Sequence, residues 1–189
     1  MALTNDAGIA GRMALFRSHG ITRDPDEMTR ESDGPWYYQQ IELGFNYRMT
    51  EMQAALGISQ MERVDKFVAR RHHLAANYEV QLAELPITLP WQHADSYSGL
   101  HLYVIRLKLD ELSLSRRQVF ESLRKSGIGV NLHYIPVHLQ PYYQAMGFKP
   151  GDFPEAECYY SEAISIPMFH GMTDEQQKEV VMVLKSVLR

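Results

Sequence analysis

The sequence predicts an α+β fold: a sheet domain over residues 84–189, preceded by a helix and a long loop. Three observations predict it. Apolar residues alternate with period two only after residue 84. Three Ser/Thr-x-x-Gln capping boxes, at Thr50, Ser115 and Thr173, mark helix starts. Residues 1–50 carry one helical period and no strand signal.

Taken in order, Asn5 or Asp6 caps a first helix in which Ile9, Met13 and Phe16 recur, ending near His19 and Gly20. Residues 21–48 contain Pro25, Gly34 and Pro35 and no sustained period, so a long loop is expected, of the kind that is functional or disordered. Thr50 and Gln53 open a stripe of Met52, Ala55, Leu56 and Met61 that resumes at Val64, Phe67, Leu74 and Tyr78. About thirty residues exceed one typical helix, so a bend is expected near Gly57 or between Val64 and Arg71. A connecting helix or helix pair thus covers 51–83.

LHLYVIRLKL alternates Leu102, Val104 and Arg106 with Tyr103, Ile105 and Leu107, a strand. Ser115 and Gln118 start a short helix, and Gly127 supplies its left-handed cap. IGVNLHY alternates again and Pro136 closes it, which predicts a second strand. A helix opened by Pro154, a strand in AISIPM and a helix after Thr173 complete the order. The pattern implies a sheet with helices packed on one face.

The 189 residues, 45% hydrophobic and 22% charged, are enough for one sizeable core, or a core plus an appendage. A net charge of -4 with 19 scattered Lys and Arg offers no field for a phosphate backbone, so no nucleic-acid partner is expected. Cys158 is the only cysteine, which excludes an intrachain disulfide and favours a reducing compartment. No apolar run reaches the roughly 18 residues of a membrane span. The expectation is a cytoplasmic protein without a membrane partner.

Eight histidines invite a metal reading through His72 and His73 or through His133, His138 and His170. Neighbours on a helix diverge by about 100°, and no HExxH motif or cysteine pair is present, so no metal site is expected. Cys158 lacks a nearby histidine and reads as a buried structural thiol. No glycine-rich phosphate loop occurs. Two stretches remain. In GFNYR, Asn46 and Arg48 stand before the Thr50 helix, where an amide, a guanidinium and the helix dipole suit an anion; a turn asparagine and a surface arginine explain them equally well. In LHYIPVH, His133 ends a strand with Leu132 and Tyr134 facing the other way; its functional reading is a polar wall for a polar ligand, against the stronger plain reading of a hydrogen-bonded histidine at a sheet edge.

The runs RMALFRSHG, YYQQIELGFNYRMTEMQAALGISQMERVDKFVARR, HLYVIRL, GIGVNLHYIPVHLQPYY and AISIPMFHGMT resemble, in order and over nearly the whole chain, the aminotransferases that act on nucleotide-linked sugars. That family, of the DegT/DnrJ/EryC1/StrS type, uses pyridoxal 5'-phosphate on the aspartate-aminotransferase fold. Within it, HYIPVHLQPYYQAMGF is most similar to the transaminase of pseudaminic acid synthesis, which makes UDP-4-amino-4,6-dideoxy-N-acetyl-altrosamine. Enzymes acting on a UDP-linked 4-ketopentose in lipid A modification are the nearest competitor.

The resemblance implies that residues 84–189 are the small C-terminal domain of that fold, an antiparallel sheet with helices on one face. Residues 1–50 would be a remnant of the large cofactor-binding domain, whose sheet lies upstream. It implies a homodimer that takes glutamate and a UDP-linked 4-keto-6-deoxy sugar. Asn46 matches the family asparagine that reaches the cofactor phosphate of the neighbouring subunit. Arg48 serves the nucleotide-sugar phosphates or the glutamate carboxylate, and His133 and Tyr134 line the sugar-nucleotide side.

The family's cofactor-holding lysine has no match among Lys66, Lys108, Lys125, Lys149, Lys178 and Lys185. No catalytic residue is therefore assigned, and this chain alone is expected to bind no pyridoxal phosphate and to be inactive. Two alternatives stay open: a non-catalytic nucleotide-sugar binding module and a dimerisation module.

Overall fold

Alternating burial locates the centre of the fold. Tyr103–Leu107 forms a strand whose Tyr103, Ile105 and Leu107 are buried while Val104 and Arg106 are half-buried. The computed structural model describes residues 2–188. The chain falls into two compact units, Met1–Glu62 and Arg63–Arg189.

In the first unit α1 (Ala7–Phe16) starts at Asp6, whose Oδ1 accepts from the Ile9 amide at 2.9 Å. The segment expected to be an unstructured loop contains a short antiparallel ribbon, β1 (Ile21–Thr22) and β2 (Gln39–Gln40), with Ile21 opposite Gln40. Two-residue strands leave no periodicity to read. α2 (Glu51–Met61) carries the full box: Thr50 N–H donates to Gln53 Oε1 at 2.9 Å and Gln53 N–H to Thr50 Oγ1 at 3.3 Å. Neither α1 nor α2 contains a buried residue.

The long stripe after Thr50 divides into α2 and α3 (Val64–Leu82). The break is at Glu62 and Arg63, where Arg63 leaves helical values at φ -115°, ψ -4°. Gly57 lies inside α2 and Arg71 inside α3, so neither expected bend position is used. The two units also meet in sequence at this break.

In the second unit the central strand, β4 (Tyr103–Leu107), pairs antiparallel on one side with β3 (Ile87–Thr88) and on the other with β5 (Ala163–Ile166). Leu107 lies opposite Ile87 and Ile105 opposite Ile164. Nothing in the periodicity foretells β3, two residues set between Pro86 and Pro90. The strand expected over IGVNLHY does not form. Ile128 and Val130 are buried as the alternation requires, yet only Asn131 pairs, exchanging bonds of 3.1 and 2.8 Å with Ser165. The segment is an extended arm held by packing and one bridge.

α3, α4 (Arg116–Lys125) and α7 (Asp174–Leu188) pack on the core face. Leu74, Tyr78 and Leu82, Val119 and Leu123, and Val180 and Leu184 meet Ile105 and Ile164 in one cluster. Each such side chain contributes roughly 1.5–3 kcal/mol. Gln177 is 1% exposed within it but satisfied. Its Nε2 donates to Leu74 O at 2.7 Å, and its Oε1 accepts from Asn77 at 3.2 Å. Arg71 Nη1 donates to the carbonyls of Leu100 (2.9 Å) and His101 (2.8 Å), tying α3 to the approach of β4.

A 3-10 turn (Val137–Leu139), α5 (Pro141–Gln144) and α6 (Pro154–Glu162) lead into β5. Arg106, on the other face of β4, donates to Glu162 at 2.8 Å. Cys158 departs from expectation, because α6 buries nothing and its thiol is exposed. The thiol donates to Glu162 Oε1 at 3.2 Å, and that carboxylate raises its pKa, which disfavours the reactive thiolate. Among the described residues no helix is long and apolar enough to cross a membrane.

Leu184 is fully buried where α7 meets the sheet. Leu184→Ala should destabilise the second unit by about 2–5 kcal/mol, read as a lower urea midpoint of the far-ultraviolet dichroism. An unchanged midpoint would contradict this core.

Candidate functional site

GFNYR is held by backbone pairing to the end of α1. Phe45 N–H donates to Phe16 O at 2.7 Å, Tyr47 N–H to Arg17 O at 3.0 Å, and His19 N–H to Phe45 O at 2.9 Å. Two glycines permit this path. Gly20 has φ 70°, and a Cβ there would strike the Glu42 carbonyl; a Cβ at Gly44 would strike the Gly20 amide. The loop is thus set by backbone lying on backbone, a contact no larger residue allows.

Phe45 and Tyr47 stack with ring centroids 5.0 Å apart. Asn46 and Arg48 are exposed. Arg48 borders an open hollow with Tyr47, Met49, Gln53, Leu56 and Gln60 along α2. An amide with two donors and a guanidinium fork, next to a helix N-terminus, form a donor set that fits a phosphate. It offers no amine for covalent attachment of pyridoxal phosphate, since the first lysine of the chain is Lys66, beyond this unit.

The second pair lies in the other unit. His133 Nδ1 is 2.7 Å from Ser165 Oγ, so β5 orients the ring, as the plain reading of a hydrogen-bonded histidine requires. Tyr134 stands edge-on to it at 4.7 Å and is 73% exposed. The structure therefore leaves Asn46 and Arg48 exposed, two positions apart in the first unit, and sets His133 against Tyr134 in the second.

Sequence reasoning weighed His138 only as a metal ligand, and missed its partner. Its Nε2 donates to Glu157 Oε1 at 2.8 Å, an oxygen that also accepts the Gly151 amide at 2.7 Å. The His138 bond is the main cause, and the Gly151 bond the next, that holds Glu157 below the usual glutamate range. Nineteen residues separate the partners, and no local pattern announces such a pair. Two other histidines weighed as ligands have individual partners: His72 Nε2 lies 2.8 Å from Ser98 O, and His170 stacks on Phe67 at 3.8 Å. Among the described residues no three His, Cys, Asp or Glu gather as a ligand set.

Gly44→Ala should expose the Phe45 and Tyr47 amides, seen as lost hydrogen-exchange protection there with α3 and α7 unchanged. Protection as in the parent chain would refute the glycine contact. Glu157, with its pKa depressed on folding, stabilises the fold above the unfolded glutamate value of about 4.3, and that contribution is lost as pH falls through the lower folded value. Glu157→Gln should therefore flatten the acid limb of stability against pH; a parallel limb would show that the His138 bond is not what titrates.

The family model described as "DegT/DnrJ/EryC1/StrS aminotransferase family" matches residues 1–185. An uncharacterized protein of Methanocaldococcus jannaschii is 36% identical over 100% of this chain and 49% of its own length. The spore coat polysaccharide biosynthesis protein SpsC of Bacillus subtilis is 31% identical, with 100% and 49% covered. Among solved structures, Helicobacter pylori PseC, an aminotransferase involved in the biosynthesis of pseudoaminic acid, superposes with a TM-score of 0.83 at 26% identity. That match covers 98% of this chain and 47% of PseC. The chain spans about half the length of the curated relatives it matches.

Proposed function

This chain belongs to the DegT/DnrJ/EryC1/StrS aminotransferase family, and on that premise we propose that it is the C-terminal part of a cytoplasmic sugar-nucleotide aminotransferase. The complete enzyme, a homodimer, moves an amino group from glutamate to a UDP-linked 4-keto-6-deoxy sugar for surface polysaccharide or nonulosonic acid synthesis. Residues 1–50 close its large domain, 51–83 connect, and 84–189 form the small domain. The roles of SpsC in spore coat polysaccharide biosynthesis and of PseC in pseudoaminic acid biosynthesis support this substrate class.

The observation that carries the reading is the GFNYR loop, fixed by two glycines so that Asn46 and Arg48 stay exposed. Asn46 donates its amide hydrogens to the cofactor phosphate of the neighbouring subunit. Arg48 offers a planar two-pronged contact to the substrate diphosphate or the glutamate carboxylate, a task lysine performs poorly. His133, oriented by Ser165, and Tyr134 wall the sugar-nucleotide side. Pyridoxal phosphate, when bound, supplies the electron sink that transamination needs. The residues of this chain bind and orient, and none of them moves the proton.

In the complete protein, Asn46→Ala should weaken cofactor retention about 10-fold, the loss of one charge-assisted hydrogen bond, measured by dialysis and cofactor absorbance. Arg48→Lys should raise KM for the UDP-sugar or for glutamate with little change in kcat. The 189-residue chain alone should give no amino transfer. Turnover by that chain would overturn the assignment, and micromolar UDP-sugar binding without the large domain would favour a binding module.

A further inference from the structure

Ser165 is the one polar side chain of β5, and its surroundings decide more than where the His133 ring lies. Alternation along β5 sends Ile164 and Ile166 into the core and turns Ser165 to the other face of the sheet, where it is still only 5% exposed. Its cross-strand neighbour on that face is Val104, whose side chain has no acceptor. The diagonal neighbour Arg106 offers only donors and is bonded to Glu162. Among the described residues Ser165 Oγ makes one hydrogen bond, of 2.7 Å, to His133 Nδ1.

A hydroxyl hydrogen buried without an acceptor is costly. If the imidazole carried its hydrogen on Nδ1, that N–H would donate to Ser165 Oγ, and the serine hydrogen would meet no acceptor. With Nδ1 bare, the serine donates to it and both groups are satisfied. The contact therefore selects, in the neutral ring, the tautomer with its hydrogen on Nε2. Because the two ring nitrogens point in diverging directions, a ring that turns Nδ1 to β5 turns Nε2 away from the sheet. Nε2 bonds no described residue. The ring is half-buried, and Tyr134 beside it is 73% exposed.

We propose that Ser165 is a positioning residue of the substrate wall: by donating to His133 Nδ1 it makes Nε2–H a fixed donor for an acceptor oxygen of the sugar nucleotide. The identity of that ligand rests on the sugar-nucleotide reading above, whereas the tautomer rests on the Ser165 contact alone. A ring held in this way donates at Nε2 and does not act there as a base. The Asn131 bridge uses only the backbone of Ser165, so the hydroxyl can be removed without breaking it.

The first test reads the His133 tautomer in the isotope-labelled 189-residue chain at alkaline pH, by nuclear magnetic resonance couplings between the ring nitrogens and the carbon-bound ring hydrogens. The parent chain should show the hydrogen on Nε2 alone. Ser165→Ala should release a mixture of both tautomers, with the Asn131 and Ser165/Ala amides still protected from exchange, and Ser165→Thr should restore the single form. Hydrogen on Nδ1 in the parent chain, or a tautomer population that Ser165→Ala leaves unchanged, would overturn the proposal. The second test is steady-state kinetics of the complete protein. Ser165→Ala should raise KM for a UDP-linked keto sugar about 5-fold with kcat nearly unchanged, and Ser165→Thr should stay near the parent value. A tautomer that shifts in Ser165→Ala while KM does not move would overturn the substrate role of the donor. A complete protein inactive on UDP-linked keto sugars, with the tautomer as expected, would count against the sugar-nucleotide reading and support the Ser165 contact.

Discussion

β4 is paired on both edges, and its neighbours in the second unit take their positions from that pairing. Its inward face, Tyr103, Ile105 and Leu107, is the floor on which α3, α4 and α7 lie. Its register with β5 sets Ser165 opposite Val104. Ser165 in turn holds both the Asn131 bridge and the His133 ring. A one-residue slip would turn the apolar face to solvent and carry Ser165 away from His133. The packing of the core and the aim of a proposed substrate residue thus share one cause.

The first unit is organised differently. Its helices bury no residue, and Leu3, Ile9, Trp36, Tyr38 and Met52 are exposed. Its internal order comes from backbone hydrogen bonds, side-chain caps and the close approach of Gly20 to Gly44. A segment with little core of its own fits the proposal that it completes a larger cofactor domain, where those apolar side chains find partners.

Legibility followed the range of the physics. The boxes at Thr50, Ser115 and Thr173 were readable because each closes within three residues, and all three form. β4 was readable because one face is core and the other is not. The same alternation misled at IGVNLHY, where burial without a partner strand gives the same pattern. Cys158 was misplaced because the apolar look of its helix does not correspond to burial. In the site, the motifs drew attention to Asn46, Arg48, His133 and Tyr134. What holds them was hidden: Gly20 and Gly44 meet across 24 positions, and His138 finds Glu157 across 19. Such contacts are set by tertiary packing, which no window of sequence contains.

Gln177 bonds Leu74 across 103 positions, and Arg70 reaches Asp174 across 104. The first helix of the second unit therefore needs the last one to close its core. During synthesis α3 leaves the ribosome long before α7, and its apolar stripe must wait. Closing so long a loop comes late and slowly. The unit is one whose nascent chain is vulnerable until its final helix emerges, and a helper that shields α3 in that interval would act on yield without touching the finished fold.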